Sequence, residues 1–153
     1  MRRLYWIPML DLTLEAARTI VDTALREARA RNLKPLAVVV YDARGALKAV
    51  SVEDGTSLRR AEIASGKANG ALALGLGSRA IHARAEAQPY FVAAVTHLAG
   101  PAALVPVPGG VLIRSGEGRV LGAIGISGDT SDNDEICAVA GIEAAGLVPE
   151  TGA

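Results

Sequence analysis

Chemistry in this chain needs reactive side chains beside open backbone, and the sequence brings the two together in few places. Lys67 sits within Ser65-Gly66-Lys67-Ala68, inside an alanine- and glycine-rich segment. A lysine on so lean a helix can reach over its small neighbours to an anion such as a carboxylate. Asp54-Gly55 closes one apolar run, and Gly109-Gly110 opens another. Glycine inside a strand has no side chain to pack and marks the close approach of a ligand or of another backbone. Gly109, Gly110, Gly122, Gly125 and Gly128 therefore read as a wall built for such approach, with backbone N–H groups that no side chain screens. The candidate ligand-binding residues are Asp54, Lys67, Gly109 and Gly110, joined by His82 and His97, the only 2 histidines. Asp54, Lys67 and one of the histidines are also the acid–base candidates.

Other motifs point away from chemistry. No serine occupies a nucleophile elbow, and no triad assembles, so catalytic residues stay unassigned and enzymatic activity stays open. The histidines lack a metal-ligand spacing, and no metal site is expected. The acidic loop Asp129, Asp132, Asp134, Glu135 reads as helix-capping chemistry, with Ser131…Asp134 and Asp132…Glu135 at capping-box spacing. Gly75-Leu76-Gly77-Ser78-Arg79-Ala80 imitates a dinucleotide fingerprint, but it follows a helix rather than a strand and reads as a helix stop. Tyr90 and Phe91 read as ordinary packing, and the single Cys137 as a buried small hydrophobe that excludes an intrachain disulfide.

These residues must be positioned by a small apolar framework. The 153 residues suit one domain, half of them apolar and only 3% aromatic. Alanine, valine, leucine and isoleucine therefore make the core. Side chains so small bury little area each, at about 25 cal/mol per Å², which favours added burial through a homo-oligomer. The 16 basic and 16 acidic residues cancel, which argues against a sequence-independent nucleic-acid binder. Met1 to Pro8 starts basic and turns apolar, but it is too short for a signal segment. No run reaches the ~20 apolar residues of a membrane span. A cytoplasmic protein is the expectation.

Thr13 is placed as the N-cap of a first helix, with Leu14, Ala17, Val21, Ala24, Leu25 and Ala28 at helical spacing and an end at Asn32 and Pro35. Leu36 to Tyr41 and Ala46 to Val52, joined by Asp42-Ala43-Arg44-Gly45, read as a hairpin. Val111 to Arg114 and Arg119 to Ile126 repeat that design across Ser115-Gly116-Glu117-Gly118. Between the hairpins, a helix capped by Thr56 or Ser57 runs to about Leu74, and Ala80 to Ala99 is helical with a break at Pro89. Gly66 and Gly70 share a face of the former and predict a tight contact there. A last helix starts near Ser131 or Asp132 and ends about Gly146. Hairpins leave no room for parallel crossovers, so the fold class is α+β.

In this order the pieces resemble the GlcG/HbpS family, the haem-degrading-like proteins related to the C-terminal domain of PduO-type proteins. The matching pieces are Leu12-Thr13-Leu14-Glu15-Ala16-Ala17, Val38-Val39-Val40-Tyr41-Asp42-Ala43-Arg44-Gly45, Asp54-Gly55, Ser65-Gly66-Lys67-Ala68, Gly109-Gly110-Val111, and Gly118 to Gly128 with Asp134-Glu135. The resemblance covers about residues 12–147 of a single domain over 1–153. It implies a profilin-like fold, a five-stranded antiparallel sheet flanked by helices, and assembly into oligomers. It also implies haem, corrinoid or small-organic-acid biology. Haem-binding relatives are similar in using a first-helix histidine as iron ligand, and Thr13 to Asn32 contains none. Where the family's glycine strand continues with proline, Leu112 stands here. The reading that results is a small-ligand-binding homo-oligomer whose ligand is a small organic acid or related metabolite. Its alternatives are a haem or tetrapyrrole binder, an enzyme acting on a small organic acid, and a structural assembly subunit.

Overall fold

The computed structural model describes residues 11–153, and the apolar start of the chain lies outside them. The elements run α1 (Leu14–Ala30), β1 (Ala37–Asp42), β2 (Leu47–Val52), α2 (Arg60–Leu74), α3 (Ser78–Ala87), α4 (Pro89–Thr96), β3 (Gly110–Arg114), β4 (Val120–Ser127), α5 (Ser131–Ala144) and β5 (Val148–Glu150). The strands form one antiparallel sheet in the order β2-β1-β4-β3-β5. Both expected hairpins are present, and the first strand of one meets the return strand of the other as the β1–β4 pair. The fifth strand adds three residues at the edge beside β3.

Local chemistry explains most boundaries. The Thr13 hydroxyl accepts from the Ala16 amide and caps α1, and Asn32 ends the helix region with φ 55. Gly75 adopts φ 70 just past α2, and Pro89 opens α4 at its first turn. Two caps differ from expectation. Neither Thr56 nor Ser57 caps α2; a turn comes first, with the Arg60 amide donating to the Ser57 carbonyl, and the helix begins at Arg60. The cap of α5 is Thr130, whose hydroxyl accepts from the Asn133 amide.

The sheet separates two layers. On one side α1 and α5 bury Ile20, Val21, Ala24 and Ile142 against Val38, Val40, Val111, Ile124 and Ile126. Cys137 lies in that layer, and burial pushes its thiol up to about 11, the mark of an inert side chain. On the other side α2 lies directly on the sheet through Ala64, Ala68 and Ala71. Leu112 packs in this second layer against Ala68, Ala71 and Ala123. Above α2, Gly66 and Gly70 admit Val105 and Leu104 of the loop after α4, the tight contact their spacing predicts.

The acidic loop is occupied otherwise than by capping. Arg79 pairs with Asp132 and Glu135. Asp129 accepts from the Asn133 side chain and from the backbone amides of Lys34 and Thr130, and its carboxyl is held down at about 2. A depressed carboxyl stabilises the fold above its unfolded value of 3.8 and loses that contribution as pH falls through about 2. Discounted for solvent screening, the contribution is about 1 kcal/mol. Asp129→Asn should flatten the fall in stability between pH 4 and 2, as read by urea melts at several pH values. An unchanged slope refutes this assignment.

Candidate functional site

Lys67 is buried, with 2% of its side chain exposed. Its ammonium donates to the Ile126 carbonyl at 2.8 Å and to Asp134 Oδ2 at 3.1 Å. Burial pushes the Lys67 pKa down and that of Asp134 up, while each partner's charge pulls the other back. Gly109 lies against the Lys67 ammonium, where an added Cβ would stand 2.9 Å from Nζ. At Gly110 an added Cβ would overlap the Lys67 carbonyl, and the Gly110 amide donates to the buried Ser78 hydroxyl at 2.7 Å. Gly125 and Gly128 are likewise closed by the carbonyls of Ala64 and Pro35. The close approach read from the glycines is made by the chain's own backbone, and Lys67 with Ser78 fills the recess expected beside Gly109 and Gly110.

The other sequence candidates lie elsewhere. Asp54 is exposed in the turn after β2, in a shallow cleft with Arg29, Pro35 and Glu53. His82 lies on α3, with Nδ1 at 3.2 Å from the Pro106 carbonyl and Nε2 at 3.1 Å from Glu86. It borders a cleft with Arg79, Thr130, Ser131 and Asp132. His97 is exposed at the end of α4. The structure thus joins Lys67 to Gly109 and Gly110, while Asp54 and His82 line two other clefts and His97 stands at the end of α4. Tyr90 is exposed, and Phe91 carries the Arg84 guanidinium 4.1 Å over its ring.

A different cleft has the character of a ligand site. It opens on the α2 side of the sheet, with a volume of about 320 Å³. Val39, Tyr41, Leu47 and Val50 of the first hairpin form one wall, Ala61 and Ser65 of α2 another, and Pro101 to Ala103 the third. Two sequence facts build it. The β-branched run of β1 alternates, sending Val39 and Tyr41 to the α2 face while Val38 and Val40 enter the opposite core. The small residues of α2 let the helix sit low, so the edge of the hairpin stands clear of it. The Tyr41 and Ser65 hydroxyls are hydrogen-bonded to each other at the cleft wall. Glu62 stands at the rim, where Arg59 pairs with it at 2.6 Å. The sequence reading did not single out Tyr41 as a site residue. The signal was an aromatic ring ending an otherwise aliphatic strand in a chain with 3% aromatics.

A cationic notch lies at the N-terminal end of α2, about 220 Å³, with Lys34, Thr56, Ser57 and Arg60. Arg60 there donates to the hydroxyls of Ser57 and Ser127. Among the described residues no helix is long and apolar enough to cross a membrane.

A single antiparallel sheet with α1 and α5 on one face and α2 on the other, cleft beside α2, defines an α+β domain of the kind the sequence resemblance implies. The model of the family described as haem degrading protein HbpS-like matches residues 12–143, and the chain belongs to that family. The PduOC:haem complex superposes with TM-score 0.79 at 23% identity, over 90% of this chain and 96% of that one. Klebsiella pneumoniae protein ORFY gives 0.78 at 22%, over 95% and 97%. HbpS gives 0.75 at 24%, over 94% and 96%. A search of curated proteins finds no match to this sequence.

Proposed function

We propose that this chain binds a flat, mainly apolar ligand of the tetrapyrrole class in the cleft between the first hairpin and α2. The carrying observation is the lining: aliphatic side chains on three sides, and one hydroxyl pair, Tyr41–Ser65, to fix orientation. Such a wall matches the common design of small-molecule sites. Family membership and the haem held by a structural neighbour support the same class. The residues fit the apolar body of a porphyrin. They offer no histidine, since His82 and His97 lie elsewhere, and Tyr41 is the side chain of the cleft with iron-ligating chemistry. Bound haem would supply redox and ligand-binding chemistry; the chain's part is to enclose the apolar face and orient it through Tyr41.

Haemin titrated into the protein should give a shifted Soret band that saturates. Ala102→Asp, which puts a charge into the cleft wall, should weaken binding by about tenfold or more, and Tyr41→Phe should move the band. An unshifted band, or binding indifferent to Ala102→Asp, overturns the proposal. A second reading, a small organic acid, is favoured by Lys34 and Arg60 meeting at the cationic notch. The same titration with glycolate, read by calorimetry, separates the two. The reading also has the chain act as a homo-oligomer. Its support is the set of exposed apolar side chains on β2, with Leu47 58%, Val50 49% and Val52 52% exposed.

A further inference from the structure

Among the described residues strand β2 is one edge of the sheet, and the side turned away from β1 has a definite pattern. The Glu53 amide donates to the Leu36 carbonyl, and Val38 faces Ser51 across the same ladder. Antiparallel pairs alternate, so residues 49, 51 and 53 direct their backbone groups to β1, and those of Val50 and Val52 face outward. The side chains of Val50 and Val52 stand on the α2 face opposite Val39 and Ala37. The opposite edge is unlike this one: β5 has three residues, with Pro149 in the middle. Proline and brevity protect an edge from pairing, and β2 has no proline.

We propose that β2 pairs antiparallel with β2 of a second copy of this chain about a two-fold axis at Ser51. The inference rests on the homo-oligomer reading and specifies its interface. In this register Val50 and Val52 exchange backbone hydrogen bonds with Val52 and Val50 of the second copy, and the four valine side chains form one apolar patch. Ser51 faces its own copy. The charges complement each other: Lys48 is drawn towards Asp54 of the second copy, and the symmetry makes that contact twice. Neither residue has an ion pair among the described residues. The shift in pairing between Val40 and Tyr41 leaves Lys48 without a partner on β1, so the register is set by residues 49–53. A two-fold axis across paired antiparallel strands keeps like faces together. The α2 clefts of the two copies therefore lie side by side over a continuous sheet, each with Val50 on its shared rim.

The register makes Ser51 a pair without backbone hydrogen bonds, with Cα atoms about 4.5 Å apart, within disulfide range. Ser51→Cys should form a reducible dimer under mild oxidation, while wild type, whose Cys137 is buried, should not. Lys48→Glu should raise the dimer dissociation constant by about tenfold in analytical ultracentrifugation. Lys48→Glu/Asp54→Lys should restore it. A wild-type monomer overturns both the interface and the homo-oligomer reading. An oligomer indifferent to Lys48→Glu, with no Ser51→Cys cross-link, overturns this interface alone. Dimerisation that appears only when residues 1–10 are deleted also overturns it, by assigning the edge to the chain's own start.

Discussion

Lys67→Ala should cost this fold about 3–5 kcal/mol, because it leaves the Asp134 carboxylate buried without its cation. Against the 5–15 kcal/mol typical of a whole domain, that leaves the protein marginal at 25 °C. The loss would appear as a large drop in the urea midpoint, with little change in slope. Asp134→Ala should cost as much or more, since Asp134 Oδ1 also accepts the Asp129 amide at 3.1 Å. The pair itself is not expected to be the source of net stability. Two charges taken out of water lose hydration that their mutual attraction only about repays. Lys67→Met/Asp134→Leu should therefore recover most of the loss. A double variant as unstable as Lys67→Ala would refute this account and point to a role for the charge itself.

What the pair does is fix geometry. Lys67 belongs to α2, Ile126 to β4 and Asp134 to α5, so one ammonium group ties together elements on both sides of the sheet. Neither the pairing nor its burial was legible in the sequence. The residues are 67 positions apart, and a lysine among alanines gives the same signal whether it reaches solvent or a carboxylate. The acidic loop misleads for a related reason. Asp132, Asp134 and Glu135 stand where helix-start chemistry would put them, yet their partners Arg79 and Lys67 come from other elements. Thr130, one residue before Ser131, does the capping.

Features with a local cause were legible: Thr13 at the start of α1, Gly75 past α2, Pro89 opening α4, and both hairpins with their turns. β5 escaped because Val148-Pro149-Glu150 is too short for a period, and its middle residue cannot donate to a ladder. The candidate site was legible only as its parts. The β1 run gave an apolar strand and the Ala-Gly pattern gave a close-lying helix. The cleft exists because that helix is close enough to leave the edge of the hairpin uncovered, a distance that no single residue encodes.

That closeness can be tested at Gly125, and the effect should rival that of Lys67→Ala. Gly125 lies in β4 under α2, and an added methyl would overlap the Ala64 carbonyl and sit 3.0 Å from the Ala68 amide. Both obstacles are backbone, so no side-chain rotation relieves them. The helix must rise off the sheet, loosening Ala64, Ala68 and Ala71 from their contacts with Val39, Leu112 and Ala123. Gly125→Ala should therefore destabilise by about 3 kcal/mol or more, at the upper end for overpacking. Gly116→Ala is the matched control, because nothing stands within 4 Å of a Cβ there; its melt should follow wild type. Ala61 and Ser65 ride on the same helix, so Gly125→Ala should also weaken haemin binding at temperatures where the variant is still folded. A Gly125→Ala protein with wild-type stability would mean that α2 tolerates displacement. The low seat of the helix would then not be what shapes the cleft.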